Sequence, residues 1–172
     1  MEKKYYSAGE GKPPIWIQPI LDKKEMTDID FFHFTDMLDW SKQGDDIAVL
    51  EPLIACLARW GDVLIYAFAE KMAELLYRLD TRELAEKTFK GEDYFSEDGF
   101  LYVRCTALIN GKAYYNAIVN QKHRLKADIE FEAVLYVPMH AWARYHEKAP
   151  EEFDYMTRFC YETGSNEEGW MK

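Results

Sequence analysis

Arg104 makes the clearest chemical demand in this 172-residue chain. It is the only charge in the apolar run Phe100 to Ile109, beside Leu101, Val103, Cys105, Ala107, Leu108 and Ile109. A helix carrying that run has little polar face, so the guanidinium must be at least partly buried. A buried arginine needs a partner, because an unpaired one costs several kcal/mol. The carboxylates just upstream, Glu92, Asp93, Glu97 and Asp98, are the nearest candidates, with one on another helix as the alternative. Two roles fit. The first is an ion pair that ties the acidic turn to the core, and it is favoured because buried pairs serve structure more often than function. The second is a clamp for an anion or carboxylate in a pocket lined by Tyr102, Tyr114 and His140 around Arg104.

Other chemistries find less support. His140 and His146 lie six apart, which does not place them on one helical face as a four-residue spacing would. His33 stands among phenylalanines, which suits a core residue better than a ligand. Glu70 and Glu74 share a face, yet no Glu-x-x-His pair completes a dinuclear site. The chain has no Gly-rich phosphate loop, no G-x-S-x-G elbow and no Cys-x-x-Cys. A catalytic Cys–His pair assembled across the fold stays open. No catalytic residue, metal site or cofactor is nominated, and the reading leans away from an enzyme.

The elements that position these residues are helical. Thr27-Asp28-Ile29-Asp30 is a capping-box variant opening a helix to about Gln43. A second runs from Ile47 to Trp60, regular from Pro52 onward. Asp62 caps a long amphipathic segment, Val63 to Leu79, with Glu74 and Arg78 at ion-pair spacing on its polar side. Arg82 to Phe89 follows, and then the apolar helix around Arg104, a break at Gly111 and a second, tyrosine-rich helix. Pro138 interrupts the segment Asp128 to Lys148. A short periodic piece spans Phe153 to Tyr161, before an irregular end. Residues 1–26, with Pro13-Pro14 and Pro19, read as an extended arm docking through Trp16 or Ile17. The expectation is an all-α, single-domain bundle of about seven helices over residues 27–172, behind that arm.

Charge constrains the partners. Net charge is −10, which disfavours direct nucleic-acid binding and suits a basic protein partner, such as a basic toxin or nuclease. Within the chain, Gly99 to Ala127 holds no Asp or Glu but has Arg104, Lys112, Lys122, Arg124 and Lys126, so it carries +5 against −15 elsewhere. The large acidic excess favours pairing of these cations with the protein's own acidic helices over an acidic partner for Gln121 to Arg124. The longest unbroken apolar run, Val63 to Ala69, is too short to span a membrane, and Met1 to Lys12 lacks the apolar segment of a secretory signal. Cys56, Cys105 and Cys160 sit in apolar segments and read as reduced core thiols, which fits the cytoplasm.

Four blocks carry a family resemblance: LLYRLDTRELAEKTF, DYFSEDGFLYVRCTALINGKAYYNAIV, FEAVLYVPMHAWARYHEK and YETGSNEEGW. Together they resemble the bacterial domain of unknown function numbered 4240, over about Thr27 to Trp170. The matching positions are Phe100, Tyr102, Arg104, Gly111, Tyr114 and Tyr115. The resemblance implies an α-helical bacterial domain, found in some chains beside WGR-type modules or in toxin–immunity neighbourhoods, and it brings no activity or catalytic residues. With the charge and the aromatic content, it points to a non-enzymatic cytoplasmic protein-binding domain, most concretely an immunity- or antitoxin-like inhibitor. Its acidic, aromatic-rich surface would occlude a partner. A small-molecule site or enzyme pocket around Arg104, and an acidic mimic of nucleic acid, are the alternatives.

Overall fold

A computed structural model describes residues 11–171. Among them are nine α-helices and three short 3-10 turns, with no strand. The helices are α1 Gln18–Lys23, α2 Asp28–Thr35, α3 Asp46–Trp60, α4 Asp62–Leu79, α5 Arg82–Thr88, α6 Glu97–Ile109, α7 Lys112–Val119, α8 Val137–His146 and α9 Glu167–Met171. The expected all-α class is what the chain adopts.

Helix α4 is the axis of the packing. Its apolar stripe, Leu64, Ile65, Phe68, Met72, Leu75, Leu76 and Leu79, is buried, and it contacts α1, α2, α3, α6 and α8. That stripe recurs at the three- and four-residue steps of one helical face. Phe68 stacks on Phe31 at 4.8 Å between ring centroids and meets Phe34 edge-on at 6.2 Å, fixing α2 across it. Helix α8 closes the other side against α3 and α4, and Arg144 forms a two-pronged ion pair with Glu51 of α3 at 2.7 and 2.8 Å.

Local chemistry sets the helix ends. The Thr27–Asp30 capping box is formed, with Asp30 N–H donating to Thr27 Oγ1 at 3.2 Å and Thr27 N–H to the Asp30 carboxylate at 2.9 Å. Pro138 sits in the first turn of α8, where a missing N–H is harmless, and a 3-10 turn, Glu132–Tyr136, precedes it. The interrupted Asp128 to Lys148 segment is therefore a turn followed by one helix.

Several expectations shift. Helix α3 is regular from Asp46, with Pro52 inside it. Asp62 does not cap α4; Gly61 occupies the N-cap, and Asp62 instead pairs with His146 of α8 at 2.8 Å. Residues 18–23 of the arm are helical, because Pro19 falls at the start of α1, the one part of a helix that accepts it. Ile17 and Ile20 are fully buried, so the arm docks through Ile17 as expected, while its first ten residues lie outside the described ones. The stretch Phe153 to Tyr161 is not helical, and the chain end contains α9. Of the thiols, Cys105 is a core residue, Cys56 is half-buried and Cys160 is exposed. Burial pushes the Cys56 thiol up to about 11 and the Cys105 thiol to about 12.

Two predictions follow from this scaffold. Gly61 adopts φ +75°, ψ −164°, and a Cβ there would come within 2.8 Å of the Tyr145 ring. Gly61→Ala lowers unfolding free energy by about 1–3 kcal/mol, and adding Tyr145→Ala relieves only the steric part, since the backbone strain remains. Denaturant melts of both variants measure the difference. The second concerns pH. Burial alone would raise Asp28 and Glu74, but hydrogen bonds from Arg78 and Lys71 outweigh it and hold both carboxyls below their ordinary values; the Arg144 hydrogen bond does the same for Glu51. Lowered carboxyls stabilise the fold above their unfolded pKa, and that stability is lost as pH falls through the folded values. Stability therefore declines as pH falls below about 4. Pairing Arg78→Met with Arg144→Met flattens that decline in denaturation titrations.

Candidate functional site

Helix α6 presents Arg104 to the interior, where it is wholly buried. Its counter-charge is Asp80, at the C-terminal end of α4, which is equally buried and 3.9 Å from Nη2. That distance is too long for a hydrogen bond. The guanidinium donates elsewhere: Nη1 to the Leu76 carbonyl at 2.9 Å, and Nη2 to the Tyr161 carbonyl and to Thr163 Oγ1, both at 3.0 Å. Its face lies 4.8 Å from the Phe100 ring, and Nε has no partner. Burial shifts Arg104 downward and Asp80 opposes that shift.

Asp80 collects donors from the end of the chain. Gly164 N–H and Asn166 N–H reach it at 3.1 and 3.0 Å, and the Trp170 indole N–H at 2.8 Å. Ser165 Oγ, which donates to the Cys160 carbonyl at 2.6 Å, lies 3.4 Å from it. Asn166 Nδ2 also reaches the Tyr77 carbonyl at the end of α4. The two buried charges thus anchor residues 161–170.

The anchored segment continues back as a strap over residues 153–163. Its burial alternates residue by residue, with Phe153, Tyr155, Thr157, Phe159, Tyr161 and Thr163 half-buried and the residues between them exposed. Tyr155 stacks on Tyr66 at 4.2 Å, and its hydroxyl donates to Glu70 at 2.8 Å. Arg158 donates to the same carboxylate from its backbone N–H and its Nε. Glu70 and Glu74 are therefore committed to the strap and to Lys71 and Arg78. Among the described residues, no His/Cys/Asp/Glu group could hold a metal ion.

Between the strap, the start of α6 and α8 lies a groove of about 340 Å³. Tyr102, Tyr136, Tyr155 and Tyr161 line it with Asp98 and Glu162, over a floor that includes Met72 and Leu101. Glu132 adjoins it and accepts a hydrogen bond from Tyr136. Among the described residues, Asp98, Glu132 and Glu162 form no ion pair, while ten other contacts do join opposite charges. The negative field shows in the phenols. The hydrogen bond to Glu132 pushes Tyr136 up to about 12, and burial with Glu132, Asp98 and Glu162 raises Tyr102. Burial and Glu162 raise Tyr161. Aromatic faces beside unpaired carboxylates have the chemistry to attract a cation.

Of the four residues singled out in the sequence, Tyr102 lines this groove and Arg104 lies behind its Tyr161 wall, hydrogen-bonded to the Tyr161 carbonyl. Tyr114 is on α7, 6.3 Å from the His123 ring, and His140 is half-buried on α8; neither lines the groove. The counter-charge of Arg104 is Asp80, the C-cap residue that follows α4, and not a carboxylate of the upstream acidic turn. The basic segment also differs from expectation. Only Arg104 pairs internally, whereas Lys112, Lys122, Arg124 and Lys126 are exposed and form no ion pair among the described residues. Sequence reasoning missed the strap, although F-x-Y-x-T-x-F-x-Y-x-T from Phe153 to Thr163 has a period of two, the mark of an extended chain lying on a surface.

A sequence profile of the family described as "Protein of unknown function (DUF4240)" matches residues 26–147. The chain belongs to the DUF4240 family. The match begins where the resemblance placed it and ends before the closing YETGSNEEGW block. The DUF4240 match thus contains Asp80, Arg104, Asp98, Tyr102 and Tyr136, while the strap wall of the groove lies beyond it. No curated protein and no solved structure matches this DUF4240 chain.

Asp80→Ala, which strands a buried Arg104, lowers unfolding free energy by about 3–5 kcal/mol. Trp170→Phe, which removes one donor, costs about 1 kcal/mol. Limited proteolysis of Asp80→Ala shows faster cleavage within residues 153–163 than in the native protein, while α4 stays protected.

Proposed function

We propose that this DUF4240 protein is a non-enzymatic protein-binding domain that takes a basic side chain of its partner into the tyrosine–carboxylate groove. The observation that carries this reading is the trio of unpaired carboxylates, Asp98, Glu132 and Glu162, beside four tyrosines in one concavity. An arginine or lysine entering it meets aromatic faces and an anion together, and tyrosines give up little rotamer freedom on binding. The net charge of −10 supports the same sign of partner and speeds its approach. No described helix is long and apolar enough to cross a membrane. A cytoplasmic immunity- or antitoxin-like inhibitor, occluding a basic toxin or nuclease, is the concrete form of this reading.

An arginine-rich peptide serves as the probe, with binding followed by titration calorimetry and by the tyrosine ring resonances. The native protein binds it with perturbations at Tyr102, Tyr136 and Tyr161. The triple variant Asp98→Asn, Glu132→Gln, Glu162→Gln weakens binding at least about tenfold, equivalent to ~1.4 kcal/mol. Neutralising Glu92 and Asp93, which are exposed but outside the groove, changes it far less. Equal weakening by both sets of changes would reduce the effect to net charge and remove the groove from the account.

A further inference from the structure

A second surface, sharing no residue with the groove, carries three of the cations that form no ion pair among the described residues. Lys122, Arg124 and Lys126 project from the loop after α7, and all three are exposed. The loop is built, not loose. Gln121 adopts a left-handed backbone, φ +58°, and its side chain is held from both sides, accepting from Lys87 Nζ at 2.7 Å and donating to Glu83 at 2.8 Å. The Lys122 and His123 amides both donate to the Ala117 carbonyl, at 2.8 and 3.1 Å, closing the end of α7. Leu125, fully buried between Arg124 and Lys126, pins the loop to the core. The His123 ring lies parallel to Tyr114. Beside the loop, between α5 and α7, a cleft of about 590 Å³ has Leu84, Ile118 and the 47 % exposed Val119 on its apolar side.

We propose that the loop Gln121–Lys126 is a docking surface for a short acidic segment of a protein partner, whose carboxylates pair with Lys122, Arg124 and Lys126 while an apolar side chain enters the adjoining cleft. Three like charges on a loop held by side-chain and backbone bonds carry a repulsion that an anionic ligand relieves, and little ordering is needed on binding. The acidic remainder of the protein does not forbid this, because charges farther than about 8 Å away are screened at physiological salt, while the exposed Asp128 and Glu130 just past Lys126 weaken the loop's field and mark the far edge of the surface. It does restrict the ligand. A nucleic acid would extend its uniform charge beyond the loop, over the −15 of the rest of the chain. Glu86 and Glu168 also line the cleft, so the ligand's acid groups sit over the loop and its apolar group in the cleft.

The test uses the full chain and a fluorescein-labelled glutamate-rich peptide containing one leucine, followed by anisotropy. The native protein binds it, and the variant Lys122→Gln, Arg124→Gln, Lys126→Gln loses at least about tenfold in affinity with a shallower salt dependence. The control Lys23→Gln, Lys24→Gln, Lys42→Gln, with the same change in net charge, keeps the affinity within about twofold. Folding is verified for each by circular dichroism, and the groove variant binds this peptide as the native protein does, separating the two surfaces. Absence of binding, or equal loss in both lysine variants, overturns the proposal. So does displacement of the peptide by a DNA oligonucleotide at equal concentration, which would make the loop a phosphate surface. Loop-dependent self-association in sedimentation velocity would assign it to a second copy instead.

Discussion

The arrangement rests on two opposite charges that are buried together without touching. Arg104 and Asp80 are 3.9 Å apart, and their hydrogen-bonding capacity is met mainly by the strap and its continuation. The segment offers carbonyl and hydroxyl oxygens to the guanidinium, and amide and indole N–H groups to the carboxylate. A buried ion pair alone is weak evidence for stability, because desolvation offsets attraction. Here the pair's effect is positional: its hydrogen bonds hold the course of residues 161–170, and that course sets where the groove wall stands.

From this anchor the surface separates by sign. The groove gathers Asp98, Glu132 and Glu162 without cations, and the stretch Gln121–Lys126 gathers Lys122, Arg124 and Lys126 ahead of Asp128 and Glu130. Opposite charges are matched in the cluster of Asp28, Lys71, Glu74 and Arg78 and in the Glu51–Arg144 pair. Matched charges hold helices in register. The groove and loop sets make no such ion pairs among the described residues, which leaves their charge available to a ligand of opposite sign.

Much of the helical frame is legible in the sequence, because its signals are local. The Thr27–Asp30 box, the stripe of α4 and the break at Gly111 each involve residues within a turn or two of one another. The need for a partner for Arg104 is legible as well, but not the partner's identity, since Asp80 is brought to it by tertiary packing. Tyr114 and His140 look equivalent to Tyr102 as pocket residues until the helices are placed, and then only Tyr102 faces the groove. The strap is the instructive miss. Its aromatic and threonine alternation is plain, but an extended segment without a neighbouring strand lies outside the helical pattern that the rest of the chain teaches one to look for.

The order in which the chain is made adds a further consequence. In chain order, residues 80 and 104 precede Tyr161, Thr163, Gly164, Asn166 and Trp170, so these partners of the two buried charges are made after the charges themselves. A chain truncated after α8 keeps the apolar stripes but leaves the Arg104 guanidinium and the Asp80 carboxylate without the hydrogen-bond partners that residues 161–170 supply. Docking of residues 161–170 is the step that supplies those partners, so the packing of α4 on α6 and the course of a segment far along the chain are coupled through two side chains.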